Sequence, residues 1–154
     1  MEATKQIILQ KEILVEATQR TAFEVFTGQM DGWWPRTHHV GKTPMTEMVL
    51  ESGANGRWYT KHEDGCEVMV GHVLTWQPYD LLVLNWQLGA DFHYQPDLTT
   101  EVEVRFIPQG GATLVKFEHR NLERMGDGEK TVADMDRGWG QILQLYKNLV
   151  DHEA

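Results

Sequence analysis

The chain has 154 residues and a formal net charge of −9 at pH 7, with 14 lysines and arginines against 23 aspartates and glutamates. Binding that neutralises phosphates draws on clustered basic side chains, so neither nucleic acid nor an anionic membrane is an expected partner. Cys66 is the single cysteine. It can close no intrachain disulfide and has no Cys-x-x-Cys mate, which fits a reducing cytoplasm. No basic-then-apolar leader opens the sequence, and no apolar run is long enough to span a bilayer. One domain over residues 1–154 is expected, since a chain of this size buries about 70% of its unfolded surface without staples.

Taken in order, residues Ile7 to Glu16 alternate as a first strand, with Ile7, Leu9, Lys11, Ile13 and Val15 turned inward. Thr18 then offers a helix N-cap, and Ala22, Phe23 and Phe26 recur at helical spacing until Gly28. Pro35 ends any helix in the Asp31-Gly32-Trp33-Trp34-Pro35 segment, and the stretch from Arg36 to Pro44, with His38 and His39, reads as a lid-like connection. Six strands follow: Thr46 to Glu51, Gly56 to Glu63, Glu67 to Gln77, Leu81 to Leu88, Thr99 to Pro108 and Ala112 to Asn121. Glycine, proline, asparagine and aspartate punctuate them where hairpins need positive or fixed φ. From Glu129 to Val150, the residues Trp139, Ile142, Leu143, Tyr146, Leu149 and Val150 form one apolar stripe on a long helix. Gln141, Gln144, Lys147 and Asn148 occupy its other side.

These elements bury their apolar faces economically if an antiparallel sheet wraps the helix and turns its other face to water. Val102, Val104 and Phe106 alternate with Glu101, Glu103 and Arg105, as Val115, Phe117 and His119 do with Lys116, Glu118 and Arg120, so both strands are one-sided.

Several local signatures resemble the SRPBCC superfamily, most closely its branch named for similarity to the activator of the Hsp90 ATPase. They are Ala17-Thr18 followed by Thr21-Ala22-Phe23-Glu24-Val25-Phe26, Trp33-Trp34-Pro35, and Gly56-Arg57-Trp58. Gly71-His72-Val73-Leu74 then runs through Pro78 to Leu82-Val83-Leu84-Asn85-Trp86, and Val115-Lys116-Phe117-Glu118-His119 and Gly138-Trp139 complete the set. The resemblance covers nearly the whole chain. It implies an α+β helix-grip (START-like) fold: a curved antiparallel sheet of about seven strands around a long C-terminal helix, with one or two short helices between strands 1 and 2. It also implies a cavity between sheet and helix. Members include lipid carriers, hormone receptors, aromatic cyclases and cochaperone domains, so fold alone selects no function.

The site is therefore read from residues. Trp58, Thr60 and His62 share one strand face, Leu82, Leu84 and Trp86 another, and Phe117, Trp139 and Tyr146 join them; apolar walls with sparse polar tips are what an orienting pocket needs. Phe92, His93 and Tyr94 are expected at the pocket mouth together with Trp33 and Trp34. His119 reads as a structural histidine at the end of an apolar face. The histidines show no His-x-x-x-His spacing, and no Gly-x-Ser-x-Gly elbow, Gly-x-Gly-x-x-Gly or Walker loop occurs, so no metal and no cofactor is expected. The leading function is binding of an apolar or aromatic small molecule without required catalysis. Two alternatives stand: an Hsp90 cochaperone-like module with a chaperone partner, and an enzyme on an aromatic or polyketide-like substrate using His119, His62 or Tyr146. Homodimerisation through a strand edge or the outer sheet face is left open.

Overall fold

The computed structural model describes residues 7–35, 43–89, 94–125 and 128–153. Strand β1 (Ile8–Val15) is followed by helices α1 (Gln19–Gly28) and α2 (Met30–Trp33). The meander comprises β2 (Met45–Leu50), β3 (Arg57–His62), β4 (Glu67–Gln77), β5 (Leu81–Trp86), β6 (Thr100–Gln109) and β7 (Ala112–Arg120). A 3-10 turn at Leu122–Met125 leads to α3 (Gly128–Glu153). The expected boundaries hold within a residue or two for most elements. The Leu81 strand stops at Trp86 instead of Leu88 because the chain folds back on itself there: Gln95 donates its amide to the Gln87 carbonyl at 2.8 Å, and Leu88 bridges to Tyr94.

Local chemistry accounts for the helices. The Thr18 hydroxyl accepts from the Thr21 amide as the α1 N-cap. Helix α2 ends because Pro35 drives the preceding Trp34 into extended backbone, φ −77° and ψ 126°.

All seven strands form one curled antiparallel sheet in the order β1-β7-β6-β5-β4-β3-β2, so the first two strands in sequence are its two edges, and α1 and α2 run between them. Register shifts interrupt the β2–β3, β3–β4 and β4–β5 ladders. Each adds local twist and bends the sheet. At Gly71 on β4 the two strands approach closely: a β-carbon there would collide with the Asn85 carbonyl oxygen of β5.

Helix α3 lies in the concave face. Met135, Trp139, Ile142, Leu143, Tyr146 and Val150 are buried, each worth about 1.5–3 kcal/mol against exposure. Its last turns also close the β1 edge: Lys147 Nζ donates to the Leu14 carbonyl at 2.8 Å, the Glu16 amide donates to Asp151 at 2.8 Å, and Lys147 and Asp151 pair at 2.7 Å. On the outer face, Arg120 bridges Glu101 (2.8 Å), Glu103 (3.2 Å) and Glu118 (3.0 Å), as the alternation of β6 and β7 implied.

Candidate ligand-binding site

The site is organised by one cross-strand row. Trp58 pairs with Leu50 on one side and with Gly71 on the other, Gly71 with Trp86, and Trp86 with Thr100. Directly opposed residues share a face, so all point at α3. Trp58 and Trp86, the two ladder partners of Gly71, meet with ring centroids 5.5 Å apart.

From that pair a continuous run of ring contacts crosses the interior. Trp139 lies 5.4 Å from Trp86, 4.6 Å from Phe117 and 5.8 Å from Trp34. Trp34 also meets Trp58 at 5.9 Å, and Trp33 connects through Tyr146 at 5.4 Å and Phe26 at 4.9 Å. Trp58 and Tyr146 have no exposed surface, Trp86 has 1% and Phe117 2%. The described rings between sheet and helix thus pack closely on one another. Trp33 and Trp34, expected to help form the pocket mouth, are buried within this cluster, where the Trp33 indole N–H donates to the Val25 carbonyl at 3.1 Å. Tyr94 is half-buried beside Leu88 at the sheet margin, while His38, His39, Phe92 and His93 lie outside the described residues.

The polar groups are largely committed to the fold. Trp139 Nε1–H donates to His119 Nδ1 at 3.1 Å, which leaves Nε2 to carry the imidazole proton and donate to Thr100 Oγ1 at 2.7 Å. Thr100 passes its own proton to the Trp86 carbonyl at 3.1 Å. One hydrogen-bonded chain thus ties α3 to β7, β6 and β5. Burial pushes the His119 pKa down to about 3; a second ring proton would also face the Trp139 N–H. Tyr146 donates to the Ala22 carbonyl at 2.7 Å, and burial first, then Asp151, raises its phenol pKa well above the ordinary value. His62 Nδ1 donates to the Thr43 carbonyl at 2.8 Å and Nε2 meets Thr60 Oγ1 at 2.7 Å. It stands four residues beyond Trp58 on β3, about 13 Å along the strand, and is not brought to Trp139. The Trp58 indole N–H is buried with no acceptor among the described residues, a costly remainder of about 1–3 kcal/mol.

Where the cluster reaches the flank of α3, it opens. A cleft of about 150 Å³ is bordered by Trp86 and Trp139, by Met135, Gly138 and Ile142, and at its rim by Asp134, Arg137 and Gln141. Arg137 and Asp134 pair at 2.7 Å, and Lys130 holds the Asp134 carboxylate below its usual range. Sequence reasoning found Trp86 and Trp139 but missed the rest of the rim and Thr100. Positions 134, 138 and 141 sit one step round the helix from the apolar stripe, and a glycine inside an otherwise regular helical pattern was the signal available.

Seven antiparallel strands gripping a C-terminal helix, with aromatic rings reaching a cleft beside it, define a helix-grip protein. The chain belongs to the Activator of Hsp90 ATPase homolog 1-like family, whose model matches residues 16–151. Among solved structures it is similar to an anthrahydroquino-gamma-pyrone synthase, Txn09, solved as a complex: 32% identity, TM-score 0.67, covering 93% of this chain and 96% of that one. It is also similar to the self-sacrificing resistance protein CalC from Micromonospora echinospora, with 31% identity, TM-score 0.73 and 96% of each chain covered. The Aha1 dimer from Colwellia psychrerythraea, at 12% identity and TM-score 0.68 over 94% of this chain and 96% of that one, shares the fold. No curated protein matches the chain. Among the described residues, no helix is long and apolar enough to cross a membrane.

Proposed function

We propose that this protein binds a flat aromatic small molecule of polyketide-like character in the cleft beside α3, as a binding or sequestering protein of the cytoplasm. The observation that carries this reading is the cleft itself, walled by the Trp86 and Trp139 rings. Its volume of about 150 Å³ matches a cavity that admits one benzene-sized ring and is smaller than the 300–1,000 Å³ that encloses a drug-sized ligand. The ligand therefore inserts one ring and leaves the rest across the Asp134–Arg137 rim. The names of the two relatives above 30% identity, a pyrone synthase and a resistance protein, support this ligand class.

Turnover through His119 or Tyr146 as acid or base is disfavoured. His119 stays neutral far below physiological pH and Tyr146 keeps its proton far above it, whereas a general acid or base works best with a pKa near the working pH. The chaperone reading rests on the family description and on a fold likeness at 12% identity, which carries no partner with it.

The test is a titration with 1,8-dihydroxyanthraquinone, 1-naphthol and flavone, following the six indole N–H resonances. Saturable shifts centred on Trp86 and Trp139, with Trp76 unmoved, are the expected result. If all three compounds leave every indole unchanged up to their solubility limit, the reading fails.

A further inference from the structure

Gly138 stands in the interior of a 26-residue helix, a position where glycine is among the poorest helix formers. Close packing is the ordinary reason to tolerate that cost, and among the described residues it is absent: apart from its chain neighbours and its own helix backbone, a β-carbon built at Gly138 would meet no described atom within 4 Å. Gly138 also borders the cleft, together with Trp86, Trp139 and Met135. Gly140, two residues on, differs. A β-carbon there would make an ordinary contact with Lys11 Nζ at 3.6 Å, and Gly140 lies on the other flank of the helix, away from the two tryptophans.

We infer that Gly138 is the specificity-determining position of the site, where the missing side chain lets the edge of a flat ring lie directly against the α3 backbone. This rests on the function proposed above. The chemistry it selects is a planar aromatic whose inserted edge carries no bulky substituent. A β-carbon at 138 would take up open space at the border of the cleft. Fold stability gains nothing from the glycine, so binding and stability respond to its replacement in opposite directions.

The experiment compares wild type, Gly138→Ala and Gly140→Ala by thermal melting and by titration with 1,8-dihydroxyanthraquinone. Both variants should melt about 2–4 °C higher, the shift that roughly 1 kcal/mol gives in a domain of this size. Only Gly138→Ala should lose affinity, by tenfold or more in Kd, with Gly140→Ala unchanged. Wild type and Gly138→Ala binding equally tightly would overturn the role of Gly138 while leaving the proposed function intact; wild type failing to bind would overturn both. Equal weakening in the two variants would mark a general effect of stiffening α3, and a lower melting temperature for Gly138→Ala would show that the space is not free. Either result also defeats the inference.

Discussion

His119 is a buried base held without its second proton, and that has a defined effect on stability. Its folded-state pKa is about 3, whereas an imidazole in the unfolded chain titrates near about 6.5. Between those values the unfolded chain binds the extra proton, so the stability present above about pH 6.5 is lost progressively as pH falls towards about 3. The slope is about 1.4 kcal/mol per pH unit. Carboxylates such as Asp151 and Glu118, whose pKa values the fold lowers, add their own losses below about pH 5, so the clean window for the histidine is roughly pH 6.5 to 5. Urea unfolding across that window should show the slope in wild type and a flatter line in His119→Gln, which keeps an acceptor and a donor but does not titrate. Equal slopes in the two proteins would mean that His119 takes up its proton without unfolding. Trp139→Phe leaves His119 Nδ1 without a donor and should cost about 1–3 kcal/mol beyond the lost ring area, measured at pH 7 where the histidine charge plays no part.

At the level of elements, the seam between α3 and β1 carries a prediction of its own. The Lys147–Asp151 pair answers two backbone groups on the outer edge of β1, a strand that would otherwise offer an unpaired ladder to a second chain. Asp151→Ala should accelerate hydrogen exchange at the Glu16 amide by roughly tenfold, the equivalent of a hydrogen bond to a charged group, while amides in β5 and β6 keep their protection. An unchanged Glu16 rate would show that the carboxylate adds nothing to the edge. The elements themselves were legible because alternation in β6 and β7 and the stripe on α3 are strong periodic signals. What joins them was not. Trp33 and Trp34 follow turn-forming residues and precede a proline, so pattern alone does not give their partners, and two successive short helices bring them against Tyr146 and Trp139 of α3. Which rings touch was equally hidden: a list of inward rings does not say which of them meet, since centroid separations of 4.6–6.0 Å are a property of three dimensions. Thr100 escaped notice for the same reason, as its partner His119 is 19 residues away.

Across the whole molecule, the aromatic cluster joins both short helices, β3, β5, β7 and α3 in one contact network, and Trp76 enters it through Phe23 at 5.2 Å. All six tryptophans therefore report on the same core. Unfolding followed by tryptophan fluorescence and by far-ultraviolet circular dichroism should trace a single coincident transition, as small cooperative domains do; two separated midpoints would show that the sheet and the helix come apart independently. The grip also has an unusual point of control. Gly71 pairs with Trp58 on one side and Trp86 on the other, and any larger residue there would press on the β5 backbone. Prising β4 from β5 at that spot would part the two indoles that rest on each other over it and swing Trp86 relative to the helix. A single missing methyl group on β4, a strand that does not border the cleft, thus lets β4 and β5 approach as closely as they do beside the Trp86 wall.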